Sequence, residues 1–324
     1  MERTKKIEKK NIHKNLSDNF LRLMPSFYEM ESAFLSGVYK RYGDLEGGNI
    51  IIFFARDCHL EILRKREKDL DFDLSLERFW INHKDVFQSK KKIILVSEQT
   101  GLPKETTRRK IINLIKKKHL RKGEKNRLFW EPGFENKESY FKIIDEEINS
   151  LSKFIFEQSK LLYLNLPISK IEKEIKNNYC FYWYHYLNVQ LEYIKFWQKK
   201  LKDLEMLLIA LQVIIQTLTF LKRKDTDFQT MLSQNRNIKN LSTSEANISA
   251  TSVSDITGIP RATCIRKLDK FVKMRILEKD EKTKRYFLLI HHNTINPMLE
   301  PEWMKRKIDI LSNFSSIMLR GLIK

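Results

Sequence analysis

The chain has 324 residues, with 61 Lys+Arg against 41 Asp+Glu and a formal net charge of +20. At roughly 150 residues per domain this length suits about two domains, and a hydrophobic content of 42% excludes wholesale disorder. Three scattered cysteines, Cys58, Cys180 and Cys264, form no C-x-x-C pair, which argues against a disulfide framework or structural zinc and fits a reducing cytosol.

Residues 1–16 read as a basic tail with no apolar stretch of the kind that directs secretion; its Lys5, Lys6, Lys9, Lys10 and Lys14 suit an arm on a polyanion or plain disorder. With only 9 Gly and 7 Pro, the chain favours helix over a many-stranded sheet. Helices are predicted over about 17–42 and, after the turn Asp44-Leu45-Glu46, over about 46–66. Residues 72–94, carrying Phe79, Trp80 and Phe87, should be ordered, and a basic module and a helix over about 138–163 follow. The same order then returns. A helix over about 179–202 leads through Asp203-Leu204-Glu205 to an apolar helix over about 204–224. A Ser/Asn/Thr-rich loop (Ser233–Ser252), a second basic module and a helix over about 300–323 complete the chain.

The recurrence extends to individual residues. Val96-Ser97-Glu98-Gln99-Thr100-Gly101-Leu102-Pro103-Lys104-Glu105-Thr106 aligns with Val253-Ser254-Asp255-Ile256-Thr257-Gly258-Ile259-Pro260-Arg261-Ala262-Thr263 at an offset of 157, and the match continues through Arg109/Arg266, Lys110/Lys267 and Leu120/Leu277. Weaker echoes flank it in the same order, among them Leu63-Arg64-Lys65-Arg66 with Leu221-Lys222-Arg223-Lys224. Two units are therefore expected, 17–165 and 166–324, with basic modules at about 90–133 and 246–291. The longest apolar run, Met206–Leu221, spans 16 residues, short of the roughly 20 a bilayer crossing needs. Its counterpart in the first unit is interrupted by Gly47-Gly48 and Arg56-Asp57, so no membrane span is expected.

Each basic module has a readable local logic. A short helix ends at Thr100-Gly101 or Thr257-Gly258, where glycine supplies the positive φ of a tight turn. Pro103 and Pro260 open the next helix, where a missing N–H costs nothing. Leu102, Ile111, Leu114 and Ile115 form an inward stripe, as do Ile259, Cys264, Leu268, Phe271 and Val272. Lys104, Arg108, Arg109 and Ile112 lie toward the other face. Short strands around Lys122-Gly123-Glu124-Lys125-Asn126, and the segment Leu277–Leu289, read as β-hairpins with basic tips.

At these residues the sequence resembles the winged helix-turn-helix of bacterial transcription regulators, most nearly the MarR-like group. The pattern is T-G-[LI]-P-[KR]-x-T-x-x-R-[KR]-[LI] followed by a basic hairpin, and it covers about 38 residues of each unit. Such regulators often carry glycine just before the first strand of the wing, where this chain has Lys118 and Arg275. The resemblance implies that the second helix of each module enters the major groove of double-stranded DNA and the hairpin touches the backbone or minor groove. Pro103, Lys104, Thr106, Arg108 and Arg109, with Arg261, Thr263, Ile265 and Arg266, would then face the groove. Lys125 and Arg127, with Lys282, Lys284 and Arg285, would serve the wings.

The charge is placed to match. Leu102–Trp130 has a net charge of +9 and Ile259–Phe287 one of +6, so fifteen of the twenty excess charges sit in two short segments. Clustered Lys and Arg neutralise phosphates and release counterions. MarR-like regulators are two-fold dimers joined through flanking helices. The expected architecture is accordingly mainly α: a single-chain pseudo-dimer of two tandem winged helix-turn-helix modules, each flanked by long helices. Its recognition helices would stand roughly 34 Å apart, one DNA turn. Arg108 in the first unit faces Ile265 in the second; an isoleucine suits a thymine methyl and an arginine suits guanine or phosphate. A lopsided palindrome is the expected target. Alternatives are a plasmid-type replication initiator with tandem winged helices and an interaction scaffold that does not bind DNA. The sequence identifies no effector.

Other constellations point nowhere catalytic. The aromatic block Tyr179–Tyr186 (YCFYWYHY) reads as packing between the halves rather than as a platform for single-stranded bases. Cys58-His59 and His291-His292 lack a third ligand at useful spacing. No phosphate-binding P-loop, G-x-S-x-G elbow or H-E-x-x-H helix occurs. Neither an enzymatic activity nor a cofactor or metal is expected.

Overall fold

The computed structural model describes residues 7–124, 127–130, 132, 137–223, 246–288 and 301–323. They are mainly helical, with two small antiparallel hairpins. In chain order the first half contains α1 (Lys9–Tyr42), α2 (Leu45–Lys68), α3 (Leu76–Asn82), α4 (Ile93–Thr100), α5 (Lys104–Lys116), β1 (Leu120–Lys122), β2 (Leu128–Trp130) and α6 (Lys137–Leu161). After α7 (Ile168–Asn177), the second half runs α8 (Tyr179–Leu201), α9 (Leu204–Arg223), α10 (Ala250–Thr257), α11 (Arg261–Lys273), β3 (Leu277–Lys279), β4 (Tyr286–Leu288) and α12 (Pro301–Leu322). Among the described residues the element order of the halves matches, apart from the connecting α7 and from α3, whose matching positions in the second half lie outside the described residues.

Local chemistry explains the boundaries. Asp44 caps α2 by accepting the backbone N–H groups of Glu46 and Gly47 at 3.2 and 3.1 Å. Asp203 does the same for Glu205 and Met206 at 3.1 and 3.3 Å, so each Asp-Leu-Glu is a helix start. Gly101 (φ 74°) and Gly258 (φ 76°) end α4 and α10 in the left-handed conformation. Thr100 and Thr257 each donate a hydroxyl to the carbonyl four residues back, both at 2.7 Å. Ser97 and Ser254 donate across the turn to the carbonyls of Leu102 and Ile259 at 2.6 and 2.7 Å. Lys118 (φ 60°) and Arg275 (φ 56°) take the left-handed backbone at the position where glycine is the easier residue.

The helices interlock reciprocally. The apolar α2 packs along α8 of the other half, and α9 packs along α1. In the same exchanged sense α4 meets α8 while α10 meets α1. The turn at Gly101 lies over Lys195 of α8, and that at Gly258 faces Tyr39 of α1. Near the middle of α1 and α8, Gln190 donates to the buried Glu31 carboxylate at 2.9 Å. These two residues stand at matching positions of the two halves. One continuous apolar cluster runs through all of this, including Phe27, Phe34, Ile50, Phe53, Tyr186, Trp197, Leu207 and Phe314.

Three expectations change. Of the proposed tail, residues 9–16 are the start of α1: Ile12 and Leu16 are fully buried, Ser316 donates to the Ile7 carbonyl at 2.9 Å and His13 lies 3.0 Å from Asp309. Apolar residues four apart find a surface on α12, almost 300 positions away, which outweighs the local charge; residues 1–6 lie outside those described. The Ser/Asn/Thr-rich loop is shorter than expected where it is described: Ile248 pairs with Tyr286 as an isolated bridge and Ser249 caps α10. The helix α7 was not foreseen. Its Ile171 and Ile175, one turn apart behind Pro167, were the available signal.

The aromatic block packs as expected. Tyr179, Tyr182, Trp183 and Tyr186 are buried, Tyr179 meets Tyr140 hydroxyl to hydroxyl at 3.2 Å, and Tyr186 packs edge-on against Phe34 of the first half. Among the described residues no single helix is long and apolar enough to cross a membrane, and the apolar pair α8–α9 is bent by 101° between its two helices.

Candidate nucleic-acid interface

Each half presents one helix, α5 or α11, with an apolar side turned in and a charged side turned out. Leu102, Ile111 and Leu114 are buried, as are Ile259, Cys264, Leu268 and Phe271; Ile115 and Val272 are half-buried. The inward stripes are those read from the spacing.

A lysine clamp that the spacing did not reveal orients both helices. Lys110 points inward to Asp44 and Glu46, at 2.7 and 3.1 Å. Lys267 reaches Asp203 and Glu205, at 2.6 and 2.9 Å. Burial alone would lower the Lys110 amine, but its hydrogen bonds and charge pairing with Asp44 and Glu46 hold it above the usual lysine range. The acids that start α2 and α9 therefore bind the helices that follow in each module. Both lysines spend their charge within the clamp, so the charge excess available at the surface is smaller than the sequence count.

The remaining predicted residues fall as follows. Pro103, Lys104, Arg108 and Arg109 are exposed on or just before α5, and Thr106 is half-buried. Arg108 forks onto Glu105 at 2.6 and 2.9 Å, a pair in open solvent that holds the Glu105 carboxyl below its usual range. A pair so exposed is weak and leaves the guanidinium free to exchange partners. On α11, Arg261 and Arg266 are exposed and Thr263 is half-buried; Arg261 donates to Thr251 at 3.0 Å. Ile265 departs from expectation. It is half-buried and packs against the core, because an apolar side chain at the edge of the inward stripe gains more from leaving water than from facing it.

The hairpins differ between halves. In the first, β1 and β2 pair through Leu120↔Trp130, Arg121↔Phe129 and Lys122↔Leu128. The Gln88 side chain pairs with the Trp130 backbone like a strand edge, donating to its carbonyl at 2.7 Å and accepting from its N–H at 2.9 Å. Arg127 is half-buried, its guanidinium 4.2 Å over the ring of Phe87 and 5.8 Å from that of Phe129, a cation–π arrangement that aims the group. Lys125 lies outside the described residues. In the second hairpin, Lys282, Lys284 and Arg285 are exposed at the tip, with Lys284 on Glu281 at 2.8 Å. Its base is pinned by Asp269, which accepts from Lys279 at 2.9 Å and Tyr286 at 2.8 Å.

Among the described residues no group of three or more His, Cys, Asp or Glu is arranged to hold a metal. Cys58 and His59 are buried, with His59 stacked 4.7 Å from Phe79; His291 and His292 lie outside the described residues. No protein-family model, curated protein or solved structure matches the chain.

Proposed function

We propose that the chain is a sequence-specific regulator of transcription that binds double-stranded DNA through α5 and α11. On this reading the modules are winged helix-turn-helices and the chain is a covalent pseudo-dimer. The observation that carries it is the duplicated clamp: two cationic helices are each locked by the same inward lysine to the capped start of an apolar helix, and both of those helices belong to one interlocked core. Freely displayed cations would serve general solubility. Cations on helices held at a set separation suit the phosphates and base edges of a duplex. Fusion of the halves removes the concentration dependence of pairing, so one chain suffices to cover both half-sites.

A salt-titrated gel shift with duplex DNA tests this. Affinity should fall steeply as salt rises, and Arg109→Ala together with Arg266→Ala should weaken binding at least tenfold while leaving the thermal melt unchanged. Absence of any shift at low salt would sink the reading and favour a scaffold that binds protein.

A further inference from the structure

The two exposed helix faces differ in chemistry, and we propose that they divide the work: α5 reads bases through Arg109, Ile112 and Asn113, whereas α11 anchors phosphates through Arg266, Lys270 and Lys273. This inference rests on the DNA-binding reading.

On α5, Ile112 and Asn113 follow Arg109 by three and four residues and share its face. Ile112 is 41% exposed although the rest of the apolar content of this helix is turned inward. Together with Arg109, Lys110 and Lys116 the two residues line a surface groove of about 350 Å³. The three side chains cover three distinct features of the major-groove edge. Arginine forks onto guanine O6 and N7, asparagine pairs with adenine N6 and N7, and an aliphatic side chain meets the thymine methyl. The cations at either end of this ridge, Lys104 and Lys116, complement the phosphates that flank a groove.

On α11 the register of Ile112 and Asn113 is occupied by Asp269 and Lys270. The Asp269 charge is paired with Lys279 and hydrogen-bonded by Tyr286, and Ile265 packs against the core. What points outward is Arg266, Lys270 and Lys273. A lysine ammonium is a flexible point charge that suits phosphate and discriminates poorly between bases. The first turn of α10 agrees with this: it exposes Thr251 and Ser252, hydroxyl groups of the kind that bond phosphate oxygens. The matching positions on α4 are the exposed Ile94 and Leu95.

Selection of bound duplexes from a randomised library, using the full chain, tests the division. The wild type should return one half-site with strong base preference, including A·T pairs, and a second half-site with weak preference. Ile112→Ala and Asn113→Ala should each relax the preference at one base pair by about 5–100-fold. Lys270→Ala with Lys273→Ala should weaken binding to every sequence alike and lower the salt slope by about 2, with the consensus unchanged. All four side chains are exposed, so a thermal melt matching wild type certifies each variant. Two half-sites of equal information content overturn the proposal, as does a consensus altered by the lysine variants and untouched by the other two. Failure of the wild type to bind DNA at all is a separate result, which removes the DNA-binding reading as well.

Discussion

At the scale of single residues, the clamp lysines show how a charge that looks like surface becomes part of the frame. Lys267 keeps only 9% of its side chain exposed and bridges two acids, whereas Lys110 keeps 21%. Removing one member of a mostly buried ion cluster leaves the others unpaired, and the penalty grows with burial. Lys267→Met should therefore cost about 2 kcal/mol in urea unfolding, and Lys110→Met less. His59 sets a pH dependence. Burial first, and the nearby His83 second, push its imidazole down to about 3. An unfolded chain binds that proton below about 6.5, so between these values the unfolded state holds more protons and stability falls as the solution is acidified. His59→Phe, which keeps a ring against Phe79, should flatten this acid limb when unfolding free energy is followed from pH 6.5 to 4.

At the scale of elements, the glycine turns between α4 and α5 and between α10 and α11 are locally alike and differ in their surroundings. A Cβ on Gly101 would stand 3.2 Å from Lys195 Cγ and 3.5 Å from its backbone oxygen, whereas one on Gly258 would find its nearest neighbour, Tyr39 Cδ1, at 3.9 Å. Both positions carry the left-handed penalty of about 1–2 kcal/mol for a residue with a side chain. Gly258→Ala should thus lower the melting temperature by a few degrees, and Gly101→Ala by more, since Lys195 must also give way. Equal shifts in calorimetry would mean that the contact across the halves carries no energy. The hairpins show the same divergence: Gln88 and stacked Arg127 shape one, Asp269 pins the other.

At the scale of the whole molecule, each half contributes its apolar helix to the long helix of the other, and the Glu31–Gln190 bond sits between them. Such mutual burial over one cluster resists relative rotation of the modules. On the proposed reading the two half-sites must then keep one separation along the duplex. Inserting five base pairs between them turns the second site to the opposite face of the DNA. It should reduce affinity at least tenfold in a gel shift, whereas inserting ten or eleven should restore part of it. Indifference to spacing would contradict a rigid pair of modules.

Much of the element order is local and was readable from the residues. Asp-Leu-Glu announces a helix start because a carboxylate satisfies free N–H groups, Thr-Gly-[Leu/Ile]-Pro announces a turn because glycine and proline restrict φ, and the spacing of Leu102, Ile111 and Leu114 marks a buried face. Long-range contact decided what these rules leave open. Lys110 and Lys267 turn inward because their acids lie 66 and 64 positions back in the chain, and no periodicity in a run of cations points to such partners. Ile12 and Leu16 became core rather than tail because α12 offers them an apolar surface. Ile112 stays exposed while Ile265 is half-buried against the core, although spacing sets the first, and the family resemblance the second, toward the outer face. Dihedral preferences and caps act over a few residues, so sequence expresses them directly. Which side of a helix is buried depends on what the rest of the chain brings against it.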